Sequence, residues 1–399
     1  MLSSAALSAS LALISAPAMH LSIQPFTLQP LQPHSTSNGI PSGPQTNLWL
    51  RLEQDGIEGW GEAAPCSTAV GVAQAETEQL EELNAIARRL IAELVPFSAW
   101  DRQTITTFLE AHHVPSALRA AIDMALWDWL GKAINLPLWQ LWGLNTRQIV
   151  PNSVTIQHLP PLQAQRCLQH WVQAANANQF KVQLGSSEGI AADQRLFSAL
   201  QQVAPPQARF SVDALGRWSL AEAVTMTAWL ATYSVDYVEQ PLAAEQSNLL
   251  AILKQQSSLP IFVAESCATS RELLAIAPNI AGIDIKLMKC GGLTEALKLI
   301  HIAQTYGLQV SLSCYSNSTL ANTAAAHLAP LADYLHLDSH LAFKDALFKG
   351  LTLNLDGVLQ IPKAPGLGVT QHTQTQTQFQ PQSQSHSHSS EEAAASRNW

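Results

Sequence analysis

The sequence predicts an α/β protein in which a barrel of (β/α)8 type follows a smaller α+β domain. Short β-type segments recur roughly every 25–30 residues from about residue 150, and amphipathic helical segments separate them. Most of these segments carry a polar residue near the carboxyl end, where the strands of a barrel form one mouth. A doubly wound parallel sheet has the same local pattern and stays the structural alternative.

Eight segments have the composition of short strands. Between them lie helical segments such as 291–307, in which Leu293, Ala296 and Ile300 fall on one apolar face. The strand segments are NSVTI from residue 152, FKVQLG from 180, RFSVDA from 209, VDYVEQ from 235, PIFVAES from 260, GIDIKLM from 282, LQVSLSC from 308 and YLHLDSH from 334.

The part of the chain before the repeating segments, residues 19–145, is predicted to form the separate α+β domain. The runs LWLRLE and IEGWGEA flank the sequence QDG, which predicts two antiparallel strands joined by a tight turn. A helical segment near residue 116 carries an apolar stripe that we interpret as core packing rather than as a ligand site. Its members are Ile122, Ala125, Leu126, Trp129, Leu130 and Ala133.

The two ends of the chain differ from the rest in composition. Residues 1–18 are small and apolar, but no Lys or Arg precedes the apolar stretch as in a signal peptide. We therefore interpret them as a disordered N-terminal extension, with translation starting near Met19. Residues 371–399 are polar and repetitive, which predicts a disordered tail because such a segment buries no core.

The bulk composition excludes several classes of function. Of the 399 residues, 47% are hydrophobic, which is enough for a large core, and the net charge of −9 gives no basic surface for nucleic acid. The five cysteines have no compact disulfide spacing, and no apolar run reaches the length of about 18 residues that a membrane span needs. We therefore expect a cytoplasmic protein with neither nucleic-acid nor membrane partners.

Three carboxylates at successive strand ends predict a metal site. Asp213, Glu239 and Glu265 are spaced 26 residues apart, so they occupy equivalent positions in three neighbouring units. Converging carboxylates repel one another unless a cation neutralises them. Oxygen ligands suit a hard ion, so the predicted metal is Mg²⁺ rather than zinc.

Two lysines are the catalytic candidates. Lys181 and Gln183 alternate on the second strand and therefore point to the same side, which is the interior of a barrel. Lys286 lies on the sixth strand, across the barrel from them. A partly desolvated lysine beside Mg²⁺ is expected to have a lowered pKa, which suits a general base. Lys289 lies past the strand, and we interpret it as outside the site.

Several motifs together resemble the enolase superfamily, in the muconate-lactonizing branch that includes dipeptide epimerases and o-succinylbenzoate synthases. The resemblance implies an α+β capping domain over residues 19–145, completed by about 345–370, and a (β/α)7β barrel over residues 146–344. It also implies bound Mg²⁺, removal of a proton next to a carboxylate, and an enediolate intermediate. The matching motifs are GWGEAAP at 59–65, AIDMALWDWLGKAINLPLWQLWG at 121–143, FKVQLG, VDALGRW, YVEQPL, PIFVAES, DIKLMKCGG, TAAAHLA at 323–329 and PGLGV at 365–369.

The sequence departs from the family pattern at the site itself. Gln183 replaces the second lysine of the K-x-K pair, which is a principal acid or base in the family, and Leu215 replaces an asparagine. Ala264 stands where an aspartate ligand is usual, so the resemblance transfers the third metal ligand to Glu265. After the seventh strand, Asn317 replaces an acidic residue and becomes a candidate for substrate binding.

These departures leave three functions open. The first is a dipeptide or amino-acid epimerase or racemase that acts on a small carboxylate, a dipeptide in the most specific form. HLDSH resembles the D-x-D segment that holds the substrate ammonium in dipeptide epimerases, with His336 in place of the first acid and Asp338 as the second. Together with Gln183 and Asn317, Asp338 is a predicted substrate-binding residue.

The second open function is an o-succinylbenzoate-synthase-like dehydratase or a cycloisomerase that uses Lys286 alone. The third is a catalytically decayed paralogue that binds a ligand without turnover. Substrate specificity is expected to lie in the capping-domain loop at residues 33–45 and in the eighth strand. A homo-oligomer is compatible with the resemblance.

Overall fold

The computed structural model describes residues 19–31, 44–65, 73–344 and 347–371, with the side chains of residues 73–77 left aside. The predicted extension at residues 1–18 and nearly all of the predicted tail, residues 372–399, lie outside these ranges. Most of the loop at residues 33–45 lies outside them as well.

The N-terminal part begins with an antiparallel sheet of three strands in the order β1-β2-β3. Asp55 and Gly56 join the second and third strands, and both have positive φ angles (56° and 72°), as a two-residue hairpin turn requires. The hairpin predicted from the QDG sequence is therefore confirmed. The strands are β1 at His20–Leu28, β2 at Gln45–Gln54 and β3 at Ile57–Ala63.

Four helices follow this sheet, and α3 packs directly on β3. A side chain at Gly59 or Gly61 would overlap the backbone carbonyls of Ala125 and Ala121, so the two glycines allow this close approach. The predicted apolar stripe of α3 packs in the core, and residues on its other faces are buried as well. The helices are α1 at Ala73–Leu94, α2 at Arg102–Ala111, α3 at Ser116–Ala133 and α4 at Leu138–Leu141.

Eight parallel strands, β4 to β11, form the second and larger sheet in strict sequence order. The sheet closes because Ser153, next to β4, donates a backbone hydrogen bond of 2.7 Å to the carbonyl of Leu335 in β11. This closure confirms the barrel and excludes the doubly wound sheet. The strands are β4 at Val154–Ile156, β5 at Gln179–Gln183, β6 at Arg209–Asp213, β7 at Val235–Glu239, β8 at Ile261–Val263, β9 at Gly282–Lys286, β10 at Gln309–Ser313 and β11 at Tyr334–His336.

Helical connections cover the outside of the barrel between successive strands. Two of them, α7 and α9, begin with capping boxes formed by Ser219 with Glu222 and by Thr269 with Glu272. The helices are α5 at Pro161–Ala175, α6 at Ile190–Gln201, α7 at Leu220–Leu230, α8 at Leu250–Gln256, α9 at Ser270–Ile276, α10 at Leu287–Cys290, α11 at Leu293–Thr305 and α12 at Thr319–Ala326. Short 3-10 turns lie at Thr146–Gln148, Ala244–Leu249, Ala277–Asn279, Ala329–Leu331 and Ser339–Ala342.

The segment after the barrel returns to the N-terminal sheet. The ring of Phe348 packs edge-on against Trp49 of β2 and Trp60 of β3, with centroids 5.1 Å and 5.3 Å away. This segment contains two short antiparallel pairs, β12 (Phe348–Lys349) with β15 (Thr370–Gln371), and β13 (Thr352–Leu353) with β14 (Leu359–Gln360).

Buried carboxylates join the N-terminal part to the barrel. Glu62 of β3 accepts a backbone hydrogen bond of 2.9 Å from Ser318 next to α12, and Asp123 of α3 accepts one of the same length from Thr294 in α11. Burial raises the pKa of both carboxyl groups. Because these bonds join distant segments of the chain, they hold the N-terminal sheet and helices over the carboxyl ends of the strands.

Candidate active site

The barrel mouth brings most of the predicted site residues together. Gln183 pairs in register with Asp213 on the next strand, and Asp213 pairs with Glu239 on the strand after that. Pairing in register turns the three side chains to the same face of the sheet, at the carboxyl ends of their strands. Lys286 ends β9 on a more distant strand of the same barrel.

Glu239 lies at the centre of the site and is fully buried. Its Oε2 atom is 2.6 Å from Nζ of Lys181, and its Oε1 atom is 3.8 Å from Nζ of Lys286. Burial, followed by the charge of Asp284, raises the pKa of Glu239 to about 8. The carboxylate thus lies between two ammonium groups from different strands.

Asp213 is anchored by the turn that follows β6. Its Oδ1 atom accepts a hydrogen bond of 2.9 Å from the backbone of Leu215, and its Oδ2 atom lies 3.9 Å from Nζ of Lys181. Leu215 has a φ angle of 54°, in the left-handed region that leucine rarely adopts. The replacement of the usual asparagine by Leu215 therefore places an unfavourable residue in the turn that orients Asp213.

Lys286 is paired with Glu265, which follows the neighbouring strand β8. Its Nζ atom is 3.2 Å from Oε1 of Glu265, 3.7 Å from Oδ2 of Asp284 and 5.2 Å from the ring centre of Tyr315. Burial alone would lower the pKa of Lys286, but the neighbouring acids, Glu265 first, raise it well above its usual value. This rise is opposite to the lowered pKa of Lys286 that the sequence predicts. That prediction assumed that a divalent cation neutralises these acids.

Lys289, which we interpret from the sequence as outside the site, is held by backbone carbonyls. Its Nζ atom donates to the backbone carbonyls of Ala264 and, at 3.3 Å, of Asp284. These bonds tie the short helix α10 to the ends of β8 and β9. The positive charge of Lys289 also contributes, after that of Lys286, to lowering the pKa of Glu265 to about 2 against the effect of burial.

Asp284 is a buried member of the site that the sequence interpretation missed. Its carboxylate accepts hydrogen bonds from the hydroxyls of Ser311, at 2.7 Å, and Ser313. Because Asp284 precedes Lys286 by two residues on one strand, the two side chains point to the same side. Tyr237 precedes Glu239 by two residues in the same way. Because side chains alternate along a strand, this period of two predicts a second layer of polar side chains beneath the mouth.

The end of the barrel's eighth strand carries His336 and Asp338, the two residues that the sequence compares with an ammonium-binding segment. His336 lies beneath the mouth, with Nε2 2.7 Å from Oη of Tyr237, and burial lowers its pKa well below the usual value. Asp338 accepts a hydrogen bond of 2.6 Å from the backbone of Thr155, and its second oxygen accepts one from the hydroxyl of Thr155 at 3.2 Å. Asp338 is therefore held on β4, while His336 belongs to the deeper polar layer.

Asn317 lies in the loop between β10 and α12 and is buried. Its Oδ1 atom accepts a hydrogen bond of 3.1 Å from the backbone of Tyr315. Its Nδ2 atom has no hydrogen-bond partner within the part of the chain that the structure describes. A buried amide donor without a partner is costly, so this atom is suited to binding an oxygen of a ligand.

Asp213 and Glu239 have the chemistry of a magnesium site. Both are buried carboxylates, and Oε1 of Glu239, 3.8 Å from Nζ of Lys286, accepts no hydrogen bond from any described residue. Mg²⁺ is commonly held by one or two carboxylates together with water and substrate oxygens. Within the described ranges, no set of three His, Cys, Asp or Glu side chains is arranged to hold a metal ion. The role of Glu265 as a third ligand therefore stays a prediction.

Two family models together match most of the chain. The N-terminal domain of mandelate racemase and muconate lactonizing enzymes matches residues 23–143, and the enolase C-terminal domain-like model matches residues 163–375. The chain belongs to the mandelate racemase/muconate lactonizing enzyme family of the enolase superfamily. The membership predicted from the sequence motifs is confirmed.

Individual members of this branch of the enolase superfamily are similar to this chain over most of their length. A hydrophobic dipeptide epimerase of Flavobacteria bacterium (strain MS024-2A) is 35% identical over 88% of this chain and 97% of the relative. A hydrophobic dipeptide epimerase of Roseobacter litoralis is 39% identical over 77% of this chain and 87% of the relative. These relatives confirm the predicted likeness to dipeptide epimerases.

Solved structures of the family share the fold. A dipeptide epimerase from Enterococcus faecalis V583, complexed with Mg and the dipeptide L-Leu-L-Tyr, has a TM-score of 0.77 and 25% identity over 89% of this chain and all of that chain. A muconate lactonizing enzyme from Pseudomonas fluorescens has a TM-score of 0.81 and 22% identity over 91% of this chain and 99% of that chain. The barrel with an N-terminal α+β part is therefore the fold of this family.

Proposed function

We propose that this protein is a Mg²⁺-dependent isomerase that removes the proton alpha to the carboxylate of a dipeptide-like substrate. The observation that carries the proposal is the buried cluster in which Asp213 and Glu239 lie at the ends of neighbouring strands and Nζ of Lys286, from β9, lies 3.8 Å from Glu239. The two relatives named hydrophobic dipeptide epimerase support the substrate class.

The reaction needs strong stabilisation of negative charge, because loss of an alpha proton from a carboxylate produces an enediolate. A turnover of about 10 s⁻¹ allows a barrier of only about 16 kcal/mol. Bound Mg²⁺ would supply positive charge where this negative charge develops. Asp213 and Glu239 would hold the ion, with Glu265 as the third ligand that the sequence predicts. Lys286 would accept the proton, a contribution of typically 10²–10⁴-fold.

The substrate end of the pocket offers groups for both termini of a dipeptide. Asp338 is fixed by Thr155, so its remaining lone pairs are positioned for an ammonium group. The free Nδ2 donor of Asn317 is positioned for an oxygen of the ligand. Gln183 offers an amide at the mouth. These three side chains remain our proposed substrate contacts.

Gln183 and Ala264 favour a second candidate function, a paralogue that binds such a ligand without turnover. Glutamine takes up no proton at useful pH, and alanine supplies no metal ligand. A dehydratase or cycloisomerase that uses Lys286 alone shares the first half of the proposed reaction. All three candidates predict ligand binding, but only the enzymes predict exchange of the alpha proton.

The test is incubation of the full chain with Mg²⁺ and a panel of dipeptides in D₂O, followed by NMR detection of deuterium at the alpha carbon. We expect incorporation next to the free carboxylate and its loss in Lys286→Met. Lys298→Met, which removes an exposed lysine of α11, is the matched control and should retain incorporation. Dipeptide binding without incorporation into any member of the panel would favour the ligand-binding paralogue instead.

No helix in the described ranges is long and apolar enough to cross a membrane. The cytoplasmic location and the homo-oligomer stay predictions. Gel filtration with light scattering would determine the oligomeric state directly.

A further inference from the structure

We infer that the site supplies a base to only one face of the substrate's alpha carbon. The protein therefore exchanges the alpha proton faster than it inverts this carbon. The inference rests on the proposed function and goes further, because it concerns the stereochemical outcome. Inversion through a planar enediolate needs a proton acceptor on one face and a proton donor on the other. The question is therefore which side chains face the mouth from the wall opposite Lys286.

Gln183 occupies the decisive position on that wall. It ends β5, pairs in register with Asp213, and points to the same side as Lys181 two residues earlier. An amide side chain donates and accepts hydrogen bonds but does not gain or lose a proton at useful pH. The end of β5 therefore contributes a polar contact to the mouth and no acid or base.

Lys181, the other amine on β5, is held in the layer beneath Gln183. Its side chain is 4% exposed, and its Nζ atom is 2.6 Å from Glu239 and 3.9 Å from Asp213. To reach a substrate at the mouth, Lys181 would have to leave buried carboxylates unpaired, which is strongly unfavourable. Lys181 therefore supplies a fixed positive charge next to Glu239 rather than a mobile proton carrier.

His158 and His336 are directed elsewhere. His158, which follows β4, has Nε2 3.8 Å from Oδ1 of the buried Asp193 in α6. His336 is fully enclosed beneath the mouth and is paired with Tyr237 at 2.7 Å. By contrast, Lys286 approaches the pocket from β9, with Glu265 and Tyr315 on either side. Among the described residues, the geometry therefore assigns the proton transfer to Lys286.

The step balances with this one amine. The proton of the alpha carbon moves to Nζ of Lys286, and the electron pair of the broken C–H bond enters the enediolate. After the ammonium protons of Lys286 exchange with solvent, a proton or deuteron returns to the same face of the carbon. The product is the starting epimer with its alpha hydrogen exchanged. Inversion would need a proton from the face that Gln183 lines.

The experiment uses L-Leu-L-Tyr and L-Leu-D-Tyr with the full chain and millimolar Mg²⁺ in D₂O. NMR measures deuterium at the tyrosine alpha carbon, and chiral chromatography measures inversion of the same carbon. We expect exchange at least about tenfold faster than inversion for one of the two epimers, since a missing acid or base typically costs 10²–10⁴-fold.

Gln183→Lys tests the assignment of the opposite wall. An added amine there should accelerate inversion at least about tenfold and bring the ratio of exchange to inversion towards one. Gln179→Lys makes the same substitution at the amino-terminal end of β5, away from the mouth, and should leave the ratio as in the unsubstituted protein. Circular dichroism establishes whether each variant is folded.

The outcomes separate this inference from the proposed function. Equal rates of exchange and inversion in the unsubstituted protein overturn the single-base inference and leave the proposed function standing. Absence of exchange in both epimers, in the unsubstituted protein and in Gln183→Lys, overturns the proposed function for this substrate class and the inference with it. If Gln183→Lys does not fold, the ratio in the unsubstituted protein and the loss of exchange in Lys286→Met decide the matter.

Discussion

At the scale of single residues, Leu215 stores backbone strain next to Asp213, one of the carboxylates that we propose as metal ligands. Its φ of 54° favours asparagine or glycine over leucine by about 1 kcal/mol. We expect Leu215→Asn to raise the free energy of unfolding by roughly 0.5–1 kcal/mol in urea denaturation. Leu162→Asn, at an exposed leucine of α5, is the control and should give no gain. A destabilised Leu215→Asn variant would show that packing of the leucine side chain outweighs the backbone strain.

Glu265 is a second residue whose role can be measured directly. Its Oε1 atom faces Lys286 at 3.2 Å, while the structure brings Asp213 and Glu239 together around Lys181. We expect Asp213→Asn and Glu265→Gln each to weaken Mn²⁺ binding at least about tenfold in an EPR titration. A loss of less than about threefold in Glu265→Gln, beside a loss of about tenfold in Asp213→Asn, would exclude Glu265 from the ligands.

The period-two rule explains why much of this residue-level pattern was predictable. A polar residue at the end of most barrel strands was expected from the sequence, and the structure brings Gln183, Asp213, Glu239 and Lys286 to one mouth. Which ammonium pairs with which carboxylate was not predictable. That choice depends on the register between neighbouring strands and on the length of each side chain in the closed barrel.

At the scale of elements, His327 links three segments of the chain. It follows α12, its Nδ1 atom accepts a hydrogen bond of 3.2 Å from the backbone of Trp139 in α4, and its Nε2 atom lies 3.1 Å from the carbonyl of Leu367. Burial lowers its pKa from 6.5 to about 4. The ring is therefore neutral in the fold over the whole range in which a free histidine becomes charged.

The pH dependence of stability follows from this lowered pKa. Between pH 6.5 and about 4 the unfolded chain binds a proton that the folded chain does not, so stability is lost as the pH falls through that window. The loss from His327 is at most about 3 kcal/mol. We expect His327→Gln to flatten the curve of unfolding free energy against pH between 4 and 6.5. His301→Gln, at an exposed histidine of α11, should not flatten it.

At the scale of the whole molecule, the contact between the N-terminal part and the barrel depends on buried carboxylates. Glu62 accepts hydrogen bonds from Asn47 at 2.8 Å and from the backbone of Ser318 at 2.9 Å. Glu62→Gln turns an amide group towards one of these donors, and we expect a loss of roughly 2 kcal/mol of unfolding free energy. Glu58→Gln, on the same strand as Glu62, removes a carboxylate from a partly exposed pair with Arg51 of β2 and should cost less than about 1 kcal/mol.

The test of this contact is thermal unfolding followed by circular dichroism. A single transition that moves to lower temperature in Glu62→Gln would show that the two parts unfold together. Two separate transitions, with only one displaced, would show instead that the N-terminal part and the barrel are stable independently. Either result also bears on the predicted boundaries at residues 145 and 345.

The sequence by itself determined the repeating strands and helices, the polar strand ends and the family, because these depend on spacing along one chain. Only the tertiary structure decided that Lys181 lies under Gln183 against Glu239, that Lys286 pairs with Glu265, and that Asp284 joins the site. The physical reason is that alternation along a strand fixes the side to which a residue points. The charges that it meets there come from other strands, and they are set by the closure of the barrel.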